Sequence, residues 1–253
     1  MNNIRLFIFL ISLIIISSCA NKKNILYLQD FEEGVSKISQ NYENRLQADD
    51  ILNIMVSSPD QQGVQSFNLY MQNNPQSAAP NQSIMLNYTI RKDGTIEFPV
   101  IGKIKISELT ILETIALLKQ KLSVYINNPV IVVEWINFKF TILGEVNKPG
   151  QYRSQNERVT LLDALGMAGD LDIYGQRKNI MLIRDNGLER KSFLIDITNK
   201  KFIDSEAYYI KQNDVIIVSP NNPQIQASAF NRNMPLYIAV ASTIISVIVL
   251  LTR

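Results

Sequence analysis

Residues 236–251 include no charged side chain, and Pro235 stands just before them. A helix tolerates proline in its first turn, so the run predicts an uncharged helix at the C-terminal end. Seventeen residues, 236–252, reach about 25 Å at 1.5 Å each. That is short for an average bilayer and suits one thinner than average. The segment is therefore expected to be a transmembrane helix. Its residues also sort by face. Ala239, Ser242, Thr243 and Ser246 share one stripe, and Leu236, Val240, Ile244, Val247 and Leu251 share another. Small and hydroxyl side chains on one face allow close helix packing, or line a wet lumen. A plain anchor with a chance serine content is the competing reading. A buried soluble helix is disfavoured, because a Pro/Asn-rich linker, 220–235, precedes the run.

The other end is apolar too. Arg5 precedes an apolar stretch, 6–16, too short and too early for a stable span. Ser17 and Ser18 then lead to Cys19, the one cysteine in the chain. Charge, apolar core, small residues and cysteine in that order resemble a bacterial lipoprotein signal. The resemblance implies cleavage after residue 18 and a diacylglycerol thioether on Cys19. An ordinary signal peptide or an uncleaved anchor helix is the alternative. Ala20 follows the cysteine where an aspartate would resemble an inner-membrane retention signal. With no acidic surface-export run behind it, a periplasm-facing anchor in the outer membrane is expected. Residues 19–41 read as a lipidated tether.

Composition narrows the chemistry. The 25 Lys and Arg nearly balance the 23 Asp and Glu, scattered rather than clustered, so no basic stripe for nucleic acid is expected. There is no histidine, which removes the commonest general base and metal ligand. A lipidated Cys19 leaves no disulfide. No metal, no cofactor and no catalytic residue are expected. One enzymatic rival survives, a glycan hydrolase drawing acid and base from Asp49, Asp50, Asp163, Asp170 and Asp172.

Between the ends the pattern predicts two α/β units, 42–136 and 137–219. In the first, Leu46, Ile51, Ile54 and Val56 suggest a strand after an Asp49-Asp50 turn. A long polar insertion, 57–87, follows, with no charge from 61 to 90 and a helical turn expected around 67–71. Alternating residues flank Asp93-Gly94, a hairpin signal because glycine accepts positive φ. Thr110 and Glu113 have capping-box spacing ahead of Ile111, Ile115, Leu118 and Leu122. Residues 130–135 are nearly all apolar, as in a strand buried on both faces.

The second unit opens with strand, turn, strand through Gly144, Pro149 and Gly150, where Gly150 is expected at positive φ. Thr160 and Asp163 open a short helix that Gly169 ends. Asn186-Gly187 turns a second hairpin, and 214–218 supplies a last strand. This order describes a β-grasp.

These residues carry a family resemblance. The stretch 42–56, Asp93-Gly94 with Pro99 and Gly102, and Asn128-Pro129-Val130 resemble a periplasmic polysaccharide export domain. Residues 144–152, with Leu161, Leu162, Ala164, Leu165 and Gly169, resemble an SLBB-type β-grasp. Together they resemble Wza-type outer-membrane polysaccharide export lipoproteins, though with room for one SLBB-like domain where longer relatives carry two. The resemblance implies an α+β fold: export domain, one SLBB-like β-grasp domain and a C-terminal transmembrane helix. It also implies a homo-oligomeric ring whose helices form a channel through outer-membrane lipid. The polysaccharide substrate would pass unaltered, driven by an inner-membrane polysaccharide co-polymerase or tyrosine autokinase. A non-pore periplasmic glycan-binding or adaptor lipoprotein is the alternative.

Overall fold

A computed structural model of the chain describes residues 25–30, 44–71, 84–156, 158–185, 189–229 and 233–251. Cys19, Asn186 and Gly187 lie outside the described residues.

The first unit is built on β1 (Ile51–Ser57), whose Leu52, Ile54 and Val56 alternate inward. A short helical turn, Gln61–Val64, and a 3-10 turn, Gln65–Phe67, follow. The expected turn thus lies a few residues earlier than predicted. It is also not simply solvated. Val64 and Phe67 are buried, and the Asn68 amide exchanges two hydrogen bonds with the Val56 backbone, at 2.9 and 2.8 Å. That side chain satisfies the edge of β1 opposite β7, beyond the two residues that β4 covers.

Next come β2 (Tyr70–Met71), β3 (Ile84–Met85), β4 (Tyr88–Thr89), β5 (Thr95–Phe98) and β6 (Gly102–Lys105). The Asp93-Gly94 turn forms, with Gly94 at φ 79°. Its flanking strands nevertheless do not pair with each other. β4 joins β1, while β5 folds back on β6 through a second turn at 99–101. The Gly94 carbonyl accepts from Ile106 and Ser107, so the turn serves a longer-range contact.

Helix α1 (Ile111–Leu122) carries the capping box: Glu113 accepts from the Thr110 amide at 2.8 Å and donates its own amide to Thr110 Oγ1 at 3.1 Å. Strand β7 (Val130–Trp135) completes the three-stranded sheet, order β4-β1-β7, antiparallel throughout. β7 corrects the sequence reading. Only Ile131, Val133 and Trp135 are buried, and Val130 is 58 % exposed. It is an edge strand, and its apolar run reflects two apolar faces of which one is bare. Met55 and Val132, paired across β1 and β7, share that bare face.

The second unit comprises β8 (Lys139–Gly144), β9 (Gly150–Arg153), α2 (Leu161–Met167), β10 (Gly175–Asp185), β11 (Arg190–Ile195) and β12 (Val215–Pro220). They form one mixed sheet, order β11-β10-β12-β8-β9, with β12 and β8 parallel. α2 also has a reciprocal capping box, Thr160 with Asp163, and buries Leu161, Ala164 and Leu165.

Gly150 is corrected as well. It begins β9, is absent from the positive-φ residues, and a Cβ there would meet nothing within 4 Å. Gly144 holds the special conformation instead, at φ 91°, with a would-be Cβ colliding with the Val218 carbonyl oxygen. Gly144→Ala is therefore expected to lose at least ~1–3 kcal/mol through backbone strain, with the clash added. Gly150→Ala, without that strain, is expected to stay within about 1 kcal/mol of wild type. Urea midpoints of the two variants decide between the positions.

Beyond β12 come α3 (Asn222–Ala229) and α4 (Met234–Leu251). The expected C-terminal helix exists and has 18 residues. Among the described residues, however, no helix is long and apolar enough to cross a membrane. The transmembrane assignment is therefore not carried by the fold.

Candidate functional site

Two features stand out, a bare apolar helix and a polar joint between the units. On α4, every residue whose side chain is described is exposed, including Leu236, Ile238, Val240, Ile244, Ile245 and Val247, with Leu250 at 78 %. Water contact over such a surface is costly, at roughly 25 cal/mol per Å². Ala239, Ser242, Thr243 and Ser246 lie on this helix and also face outward. Their hydroxyls turn back to their own helix. Ser242 and Thr243 each donate to the Ala239 carbonyl at 2.8 Å, and Ser246 donates to Ser242 at 2.9 Å. With their donors satisfied within the helix, these residues can enter an apolar contact at small cost.

The joint between the units centres on Asn137, Asp50 and Gln212. Asn137 Oδ1 accepts from the Ile51 amide at 2.8 Å and from Trp135 Nε1 at 3.2 Å, and its Nδ2 donates to the Asp49 carbonyl. Gln212, from the far end of the chain, donates to the Asn137 carbonyl and to Asp50 Oδ1, and accepts from the Lys139 amide. Asp50 is buried, and burial pushes its carboxyl up to about 7, against the bonds from Gln47 and Gln212 that lower it.

This carboxyl has a pH consequence. Its folded pKa lies above the unfolded value of 3.8. The folded state thus holds the proton where the unfolded state has lost it. Stability present below pH 4 is expected to fall as pH rises to about 7, by up to ~4 kcal/mol for a three-unit shift. Asp50→Asn should flatten that slope between pH 4 and about 7. Thermal melts at several pH values measure it, and an unchanged slope would assign the titration elsewhere.

Asp49 stands in the turn before β1, at φ 70°, and the other carboxylates singled out in the sequence are held by hydrogen bonds to backbone amides or hydroxyls. Asp163 caps α2. Asp170 accepts from the Tyr27 hydroxyl and the Leu171 amide, and Asp172 accepts from the Tyr174 amide. Asp93 accepts from the Thr95 amide at 3.0 Å and hydroxyl at 2.7 Å, which hold its carboxyl below the usual range. Pro149 directly precedes β9. Among the described residues no group of three or more acidic or cysteine side chains could hold a metal.

Sequence reasoning missed a docked strap at 25–30, read there as tether. The Leu28 and Gln29 amides donate to the Ile197 and Thr198 carbonyls at 3.0 and 2.8 Å, and Asp30 accepts from the Lys200 amide. Tyr27 lies under the Arg177 guanidinium, 6.0 Å from it. The apolar run Ile25-Leu26-Tyr27-Leu28 was the available signal. The Asp50–Gln212 contact had none, since 162 residues separate its members.

Comparison with known families gives two matches. Residues 38–135 match the model for polysaccharide biosynthesis/export proteins. Residues 138–218 match the model for the SLBB domain. Together they cover most of the chain, and the gap between them falls beside the Asn137 joint.

Proposed function

As this chain belongs to the polysaccharide biosynthesis/export family and joins that domain to an SLBB domain, we propose that it is an outer-membrane lipoprotein forming an oligomeric export channel. The role in polysaccharide export follows from the domains. The channel is the further step, and the bare apolar helix α4 supports it. A monomer leaves that surface in water, whereas a ring of copies would bury one face on neighbours and the other in lipid. Each helix keeps its backbone bonds internal, so a ring can surround a hydrated lumen within a bilayer. At 18 residues, α4 is about 27 Å long, so the proposal relies on a ring of helices rather than on one helix spanning by itself. Cys19 would carry the lipid that holds the ring's rim at the inner leaflet. The substrate would be a capsular or extracellular polysaccharide, and an inner-membrane co-polymerase or tyrosine autokinase would supply it. Passage makes and breaks no bond, so no catalytic residue is assigned.

The competing reading is a non-pore glycan-binding or adaptor lipoprotein. It draws on the absence, among the described residues, of a helix able to cross a membrane by itself. Electron microscopy of the full chain extracted in mild detergent separates the two. Closed rings with a central lumen are expected, and uniformly monomeric particles would favour the adaptor.

A further inference from the structure

One end of the second unit gathers segments that are distant in sequence. The strap brings Ile25, Leu26 and Tyr27 there, and Tyr27 bonds Asp170. The loop from Asp170 to Gly175 is tied under the strap by Arg177, whose Nη1 donates to the Asp172 and Gly175 carbonyls at 2.8 and 2.6 Å. The end of β12 closes the group. Pro220 pairs with Gly175, and the Asn221 amide donates to the Tyr174 carbonyl at 2.8 Å. Helix α3 starts at this point and carries Ile225 one turn on, bonded back to Asn221.

These segments leave five large apolar side chains in water: Ile25, Leu26, Ile173, Tyr174 and Ile225, with Ile173 57 % exposed. The neighbouring carboxylates Asp170 and Asp172 are turned into local hydrogen bonds. Both connections toward lipid also leave from here. Cys19 precedes Ile25 by six residues, a separation of at most about 22 Å in extended chain. On the other side, β12 runs through α3 toward the apolar helix α4.

We propose that this end, formed by Ile25, Leu26, Ile173, Tyr174 and Ile225, rests on the phospholipid surface and seats the second unit against the membrane. The proposal rests on the anchored reading above. Its occupant is the boundary between headgroups and acyl chains. Aliphatic side chains dip below that boundary, and tyrosine prefers it because its ring is apolar and its hydroxyl wet. A short anchored leader and an apolar helix leaving from one face hold that face toward the bilayer.

The test uses the full chain in vesicles of phosphatidylethanolamine and phosphatidylglycerol. Ile173→Cys carries an environment-sensitive fluorophore, and Leu194→Cys, exposed on β11, is the reference. Loss of most emission at 173 to a nitroxide on the lipid headgroup, with little loss at 194, is expected. Equal quenching of both sites by aqueous iodide would overturn the proposal. Shielding of 173 from both quenchers would also overturn it, in favour of a second copy covering the patch. Mass spectrometry of the Cys19 peptide reports the anchor separately. An unmodified Cys19 with lipid quenching at 173 would remove the anchor reading and leave the seated surface standing.

Discussion

Deleting 236–253 is expected to abolish surface polysaccharide while leaving a folded protein. The described side chains of α4 are exposed along its length, so the two α/β units keep their cores without it. What the deletion removes is an apolar surface that has no cover within the described chain. If α4 is a stave, export stops at normal protein abundance. A narrower variant tests the contact face. Ser242→Leu with Ser246→Leu removes two hydroxyls that bond only their own helix, so the helix itself should persist. The added bulk thickens the face that would pack on a neighbour or line the lumen, and export is expected to fall sharply. Surface glycan measured per cell, with protein level matched by immunoblot, reads both variants. Normal surface polysaccharide in the deletion strain would exclude the stave and favour the adaptor.

Arg184→Met is expected to destabilise the second unit by ~3–5 kcal/mol, the range for breaking one side of a buried ion pair. Arg184 and Asp214 are 7 % and 0 % exposed. Nε and Nη2 of the arginine donate to the two carboxylate oxygens at 2.9 and 2.7 Å. The same guanidinium donates to the Glu206 and Tyr209 carbonyls, at 3.0 and 2.8 Å. It therefore ties β10 to the loop that carries Gln212 into the joint between units. Burial pushes the Asp214 carboxyl up, and the arginine pulls it partly back. Methionine keeps much of the volume but leaves an acid in a dry site and removes the guanidinium's bonds to both carbonyls. Urea unfolding should show the loss as a lower midpoint. Arg184→Met combined with Asp214→Leu should recover part of it, because the uncompensated acid is gone. A single variant with a wild-type midpoint would mean that solvent reaches the pair.

Local chemistry determined the features that the residues announce by themselves. Thr110 with Glu113, and Thr160 with Asp163, start helices because each pair closes its bonds within one turn. Gly169, at φ 75°, ends α2 for an equally local reason. The two capped helices and the family the chain resembles follow from such short-range signals, whereas α3 formed inside the run read as a linker. The existence of the C-terminal helix follows from them too, because Pro235 suits a first helical turn and the run after it is too long for one strand.

Tertiary structure decided what depends on residues far away in sequence. Gly144 rather than Gly150 needs to be glycine, because the Val218 carbonyl approaches the first and nothing approaches the second. The Asp93-Gly94 turn was legible, but its strands went to different partners through contacts that the turn does not encode. The apolar run of β7 could not say that one of its faces would stay bare. Asp50 acquired its raised pKa only when folding took it out of water, against the hydrogen bond that Gln212 brings from the other unit. Residues 25–30 became a strap because Ile197 and Thr198 offered free carbonyls. Spacing within a turn of chain is written in the sequence, whereas burial and long-range pairing exist only once the chain has closed on itself.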